Sequence, residues 1–167
     1  MSISKIVVAT DFSDASDRAI DFALSLAETM KASVTLVHAY GLPVYGFPDG
    51  VLLPSPEVAA NISNVAQEAL GRTLERARDR YSNVTSVLRE GDAREEVEAV
   101  ARDVGADLIV TGSHGRGAFK RWVLGSVAER IVRTSSIPVL TVPTAYETPT
   151  SPKGHEPPVQ KFGYELF

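Results

Sequence analysis

Gly112, Gly115, Gly125 and Ser126 punctuate the stretch GSHGRGAFKRWVLGS, residues 112–126, with spacing suited to holding a phosphate. Successive backbone N–H groups form an anion-holding concavity only where no Cβ blocks the approach, and glycine permits the positive φ values such nests use. A helix starting at Ser126 would add unpaired N–H groups and a partial positive charge, worth typically ~0.3–1 kcal/mol for a nearby anion at the surface. The Ser126 hydroxyl is placed to donate to a phosphate or to reach a bound Mg²⁺. The plainer reading is that the glycines turn the chain from strand into helix and that Ser126 caps the helix. The pattern is not a Walker loop, because Ala118 and Phe119 stand where Lys and Ser/Thr belong. Nor is it the dinucleotide fingerprint: Gly115-Arg-Gly117 is followed by Ala-Phe-Lys, with no third glycine.

Other chemistry-bearing residues are sparse. His38, His114 and His155 have no metal-ligand spacing, and no G-x-S-x-G elbow is present. Arg116, Lys120 and Arg121 form a basic patch able to steer anions. Phe119 and Trp122 are expected to pack under the loop or at a subunit seam, and His38 to be packed or paired near a strand end. The absence of cysteine excludes a disulfide framework, a thiolate nucleophile and iron–sulfur ligation. A net charge of −4 argues against a general polyanion binder. No apolar run approaches the ~18 residues of a membrane span, and the first ten residues do not form a signal peptide, so a cytoplasmic location is expected.

The elements that must position these residues are read from periodicity. Residues 3–10 are a β-branched apolar run suited to a strand buried on both faces. Ser13 caps a helix over 15–30, where Ala19, Phe22, Ala23, Leu26, Ala27 and Met30 recur at helical spacing. A second strand follows at 34–40. Residues 41–55, with three glycines and three prolines, read as an irregular loop of the length that often serves as a lid. Ser55 and Pro56 start a long amphipathic helix reaching Tyr81. Residues 84–88 form a strand of edge character, and Asp92 with Glu95 has capping-box spacing for a helix that Gly105 ends. A strand over 106–111, a helix over 126–134 and a strand over 137–142 complete the chain.

Strict alternation predicts an α/β fold: an open, doubly wound, five-stranded parallel sheet in the order 3-2-1-4-5, with helices on both faces. Such sheets bind ligands beyond the carboxyl ends of the strands, where the winding reverses. Strands one and four would then bring Thr10 and Asp11 opposite Thr111 and Gly112. A carboxylate for ribose hydroxyls would face bare amides for phosphates.

The spacing that does fit is G-x2-G-x9-G-[S/T], satisfied by Gly112, Gly115, Gly125 and Ser126. Over residues 3–143 the chain resembles the ATP-binding branch of the universal stress protein family. The supporting marks are ATDFS (9–13), LVHA (36–39), GDAREEV (91–97), ADLIVTGSHGRG (106–117), GSVAERIV (125–132) and SIPVLTV (136–142). The resemblance implies an adenine nucleotide alpha hydrolase-like fold. It implies that Asp11 holds the ribose, with Ala9 and Thr10 beside the base and the backbone of Ala39 at the adenine edge. It places Gly112, Ser113, His114, Gly115, Arg116 and Gly117, with Gly125, Ser126 and Val127, around the phosphates of ATP, ADP or AMP, often bridged by Mg²⁺ or Mn²⁺. It also implies a homodimer made by pairing last strands, here Ile137 through Val142. Ala9 departs from the proline that many nucleotide-binding members carry at that position.

The expected domain spans residues 1–143. Residues 144–167 form a Pro-rich extension; from Pro143 on, the chain holds five of its ten prolines. Its terminal FGYELF alternates Phe162, Tyr164 and Leu166 with Gly163 and Glu165, a pattern able to dock as an extended segment on the body or on a partner subunit. The functional expectation is a nucleotide-dependent regulatory module of the stress response. The alternatives are a slow metal-dependent ATPase using Asp11 or His114, and a nucleotide-free interaction dimer.

Overall fold

A computed structural model describes residues 2–47, 50–113 and 124–143. In chain order its elements are β1 (Lys5–Ala9), α1 (Asp14–Met30), β2 (Ser33–Tyr40), β3 (Tyr45–Phe47), β4 (Gly50–Leu52), α2 (Pro56–Arg80), β5 (Val84–Glu90), α3 (Ala93–Val104), β6 (Leu108–Gly112), α4 (Ser126–Thr134) and β7 (Val139–Val142). The main sheet runs β5-β2-β1-β6-β7, all parallel. With the short strands β3 and β4 set aside, this is the expected 3-2-1-4-5 order.

The apolar runs explain the double winding. Successive side chains of a strand point to opposite faces, and here both faces are covered. Ile6, Val8, Leu36 and Val110 join a core with Ala19, Ala23 and Leu24 of α1 and Leu70 and Ala77 of α2. Val7, Val37 and Ile109 turn the other way, onto Val97, Val100 and Ala101 of α3 and Ile131 of α4. Each large aliphatic side chain buried in this way contributes roughly 1.5–3 kcal/mol.

The helix ends follow the caps. Ser13 accepts a 3.3 Å hydrogen bond from the Ser16 N–H, and Ser55 accepts one from Val58 N–H just before Pro56. Asp92 caps α3 through the Arg94 N–H at 2.9 Å. Gly105 ends α3 in the left-handed conformation, φ 65°. Along α2, Ala66, Leu70 and Ala77 are buried, whereas Val58 and Val65 face solvent. Arg76–Asp17 and Arg80–Asp21 ion pairs, at 2.5 and 2.6 Å, fasten α2 to α1.

The interval 41–55 is not wholly irregular. It folds back as an antiparallel ribbon with Tyr45 opposite Leu52 and Phe47 opposite Gly50. The apolar residues Val51 and Leu52 support the strand that the glycines and prolines around them obscured. β5 is an edge strand, as its polar content predicted, and the Thr35 and Thr85 hydroxyls lie 3.2 Å apart across its inner seam. Among the described residues no helix is long and apolar enough to cross a membrane.

Candidate functional site

β1 and β6 are adjacent, in register from Ile6–Leu108 to Val8–Val110. The chain leaves β1 for α1 on one face and leaves β6 for α4 on the other. The winding therefore reverses between them, and a crevice opens beyond their carboxyl ends. Thr10 and Asp11 form one lip; Gly112 and Ser113 form the other.

The turn after β1 is tightly specified. Asp11 Oδ1 accepts hydrogen bonds from Ser13 N–H at 3.1 Å and from Ser13 Oγ–H at 2.6 Å, which fixes the carboxylate at the start of α1. Thr10 Oγ1 accepts the Phe12 N–H and donates to Ser16 Oγ, both at 3.1 Å. Phe12 sits at φ 62°, a conformation costly for a bulky residue, and its ring lies 4.2 Å from that of His38. His38 Nδ1 is 2.8 Å from the Thr10 carbonyl oxygen. A carbonyl only accepts, so Nδ1 carries the proton and the strand end is pinned by a donated hydrogen bond.

The opposite lip is built from backbone. A Cβ on Gly112 would lie 2.8 Å from the Ala15 carbonyl oxygen, so glycine there lets the first turn of α1 rest on β6. Ser113 N–H donates to Val142 O, and Gly125 N–H donates to Ser113 O, each at 2.8 Å. The two ends of the interval 114–124 are thereby held at one point beside the crevice. Gly125 is the N-cap of α4 and offers no side-chain cap. The N–H groups of the first turn, from Ser126 and Val127 onward, have no partner within the helix. The Val127 side chain packs on the core with that of Ala9, so these two residues can offer a ligand only their backbone.

The predicted residues Ala9, Thr10, Asp11, Gly112, Ser113, Gly125, Ser126 and Val127 thus gather around one crevice. Ala39 lies near the end of β2, opposite Arg89 on the neighbouring strand. His114, Gly115, Arg116 and Gly117, with Phe119, Lys120, Arg121 and Trp122, lie outside the described residues, as does His155. Two residues that sequence reasoning passed over complete the lip. Phe12 gives no local sign of its positive φ. Ser16, whose Oγ also donates to Ser13 O at 2.9 Å, reads in sequence as an ordinary helix residue. Beside Phe12, a cleft of about 250 Å³ runs between α1 and α2, lined also by Asp17, Arg72, Thr73 and Arg76.

Elsewhere on the same edge of the sheet, the Arg94 guanidinium holds the Asp92 carboxyl down at about 2, with the Arg94 and Glu95 backbone N–H groups assisting. At the opposite edge, hydrogen bonds from Ser4 and Lys5 lower Asp107, which joins the start of β1 to the entry of β6.

The fold defines a doubly wound α/β domain with a crevice beyond the carboxyl ends of its central strands. The family model described as "Universal stress protein family" matches residues 2–143, and the chain belongs to that family. Universal stress protein MJ0531 of Methanocaldococcus jannaschii is 33% identical over 141 residues, covering 83% of this chain and 81% of the relative. A universal stress protein solved in complex with cAMP superposes with a TM-score of 0.61 at 28% identity, over 87% of this chain and 100% of the other. The universal stress protein of Archaeoglobus fulgidus in complex with dAMP gives a TM-score of 0.59 at 25% identity, over 84% of this chain and 98% of the other.

Proposed function

We propose that this chain binds an adenine nucleotide, ATP or its ADP and AMP relatives, in the β1/β6 crevice and acts as a nucleotide-dependent regulatory module. The observation carrying this reading is the convergence of a fixed carboxylate, Asp11, with the backbone lip of Gly112 and Ser113 and the uncapped start of α4. Two structural neighbours hold cAMP and dAMP. In this reading Asp11 takes the ribose hydroxyls, as ionised acceptors do for paired O–H donors. Ala9, Thr10 and the Ala39 backbone meet the base. Residues 112–117, Gly125, Ser126 and Val127 cradle the phosphates.

A metal, Mg²⁺ or Mn²⁺, fits this arrangement as a rider on the phosphates. Among the described residues no group of three His, Asp or Glu side chains could hold one. Ser126 at the start of α4 would hold such an ion through its hydroxyl, and the ion would supply neutralisation of phosphate charge.

Hydrolysis needs a group that orients water as well as clamps on the phosphates. Asp11, held at Oδ1 by Ser13, serves in this reading as the fixed acceptor for ribose hydroxyls, and the proposed role is binding rather than turnover. The dimer of this reading pairs β7 with its counterpart across a two-fold axis, and residues 1–143 are its folded unit.

Mass spectrometry of protein denatured directly after purification tests the binding claim: an adenine nucleotide released in near-stoichiometric amount supports it. Single-turnover assays with Mg²⁺ test the regulatory claim. A metal-dependent rate abolished by Asp11→Asn would make the protein a slow ATPase. Release of no nucleotide, together with no heat on titration of ATP, would make it a nucleotide-free interaction dimer.

A further inference from the structure

The β3–β4 ribbon and the approach to α2 carry most of the exposed large apolar side chains among the described residues. Val44, Phe47, Val51, Leu52, Leu53 and Val58 are 48 to 65% exposed. Val51 and Leu52 are consecutive in a strand, so both faces of the ribbon are uncovered. A two-stranded ribbon is marginal in water without a third strand or a packed face. Six such side chains within fifteen residues are a patch rather than the usual scatter. The outer edge of β4 also presents backbone donors and acceptors that no strand among the described residues takes up.

We infer that residues 162–167 of the same chain add to the outer edge of β4 as a third strand, laying Phe162, Tyr164 and Leu166 over the exposed apolar side chains of the ribbon. Three features select this occupant. Its alternation puts three apolar residues on one face of an extended segment, as strand addition requires. It starts on the correct side: β7 ends at the carboxyl edge of the sheet, where the ribbon also departs from β2, three strand positions or about 14 Å away. It has the reach, because the eighteen intervening residues, 144–161, extend to about 60 Å. β4 is favoured over β3 because Val51 and Leu52 lie along it and Leu53 follows it directly. The inference is independent of nucleotide binding.

The chain has no cysteine, so two introduced thiols can form only one intrachain disulfide. Full-length Val51→Cys/Tyr164→Cys, oxidised gently at low protein concentration, is expected to cross-link within the chain, as read by mass and by faster migration on a non-reducing gel. The rate should exceed that of Val132→Cys/Tyr164→Cys by about tenfold or more, since seating raises the effective concentration at one site only. Val132 is 47% exposed on α4 and reports random encounter. Equal rates for the two pairs would overturn the inference. So would disulfides joining isotopically light and heavy chains in a mixed sample, which would assign the segment to a second copy.

A second arm uses hydrogen exchange on the full chain carrying Phe162→Asp, Tyr164→Asp and Leu166→Asp. Amides of residues 45–52 are expected to exchange about tenfold faster or more, with β1 unchanged, as loss of a local cover predicts. Unchanged exchange over 45–52 would contradict the proposal.

Discussion

A Cβ added to Gly112 would lie 2.8 Å from the carbonyl oxygen of Ala15, closer than real Cβ contacts come, so α1 rests directly on the backbone of β6 where the crevice begins. The contact is with backbone, which cannot swing aside as a side-chain tip would. Gly112→Ala should therefore push the first turn of α1 outward and destabilise the fold by ~1–3 kcal/mol, the range of an overpacked core. Thermal unfolding checks this. An unchanged Tm would mean that the two elements are not in contact there.

Acid stability has a named contributor in Asp92. Its carboxyl is held at about 2 in the folded chain, against an ordinary value of 3.8, chiefly by Arg94. A depressed folded value means the stabilisation is complete above the unfolded value and is lost as pH falls through the folded one. Asp92→Asn keeps a capping oxygen but removes the charge. The Tm difference between wild type and Asp92→Asn should be largest above about pH 5 and close as the pH falls towards 2. The side chain is partly exposed, so the difference is modest and shrinks with added salt. A difference that holds constant with pH would assign the effect to the cap alone.

The proposed dimer makes a geometric demand on β7. Pro138 and Val142 carbonyls accept from Ile109 of β6 and from Ser113 just after it. In a parallel ladder the residues between them alternate, so Val139 and Thr141 direct their backbone groups to the outer edge. Thr141→Pro removes an outward donor while sparing the bonds to β6, as proline is tolerated on edge strands. Sedimentation should show a dimer for the wild type and a shift to monomer for Thr141→Pro, with the circular dichroism of the two alike. A dimer that survives this change does not pair through β7.

Much of this architecture is legible in the sequence because its signals are local and agree. Residues 6–9 and 108–110 are apolar on both faces, which only a doubly covered parallel sheet rewards. The caps at Ser13, Ser55, Asp92 and Gly105 mark helix ends by their own hydrogen bonds. The β3–β4 ribbon was obscured because three prolines and three glycines in 41–55 outweigh two short apolar segments. The positive φ of Phe12 and the tilted contact of its ring with His38 depend on residues 26 positions apart in sequence meeting in space, which periodicity does not encode. Gly112 was legible as a glycine that something approaches closely. That α1 itself makes such an approach, through Ala15, follows only from the packing.

Titration calorimetry with ATP on the wild type, Asp11→Asn and Gly115→Val tests most directly whether the β1/β6 crevice is a nucleotide site. Wild type should bind saturably. Asp11→Asn loses a charged acceptor worth roughly 1.5–3 kcal/mol and should bind about 10- to 100-fold more weakly. Gly115→Val adds a β-branched side chain to the proposed phosphate loop and should bind at least about tenfold more weakly while keeping the wild-type Tm. A wild type that takes up no ATP, or dissociation constants unchanged in both variants, would contradict the assignment of this crevice.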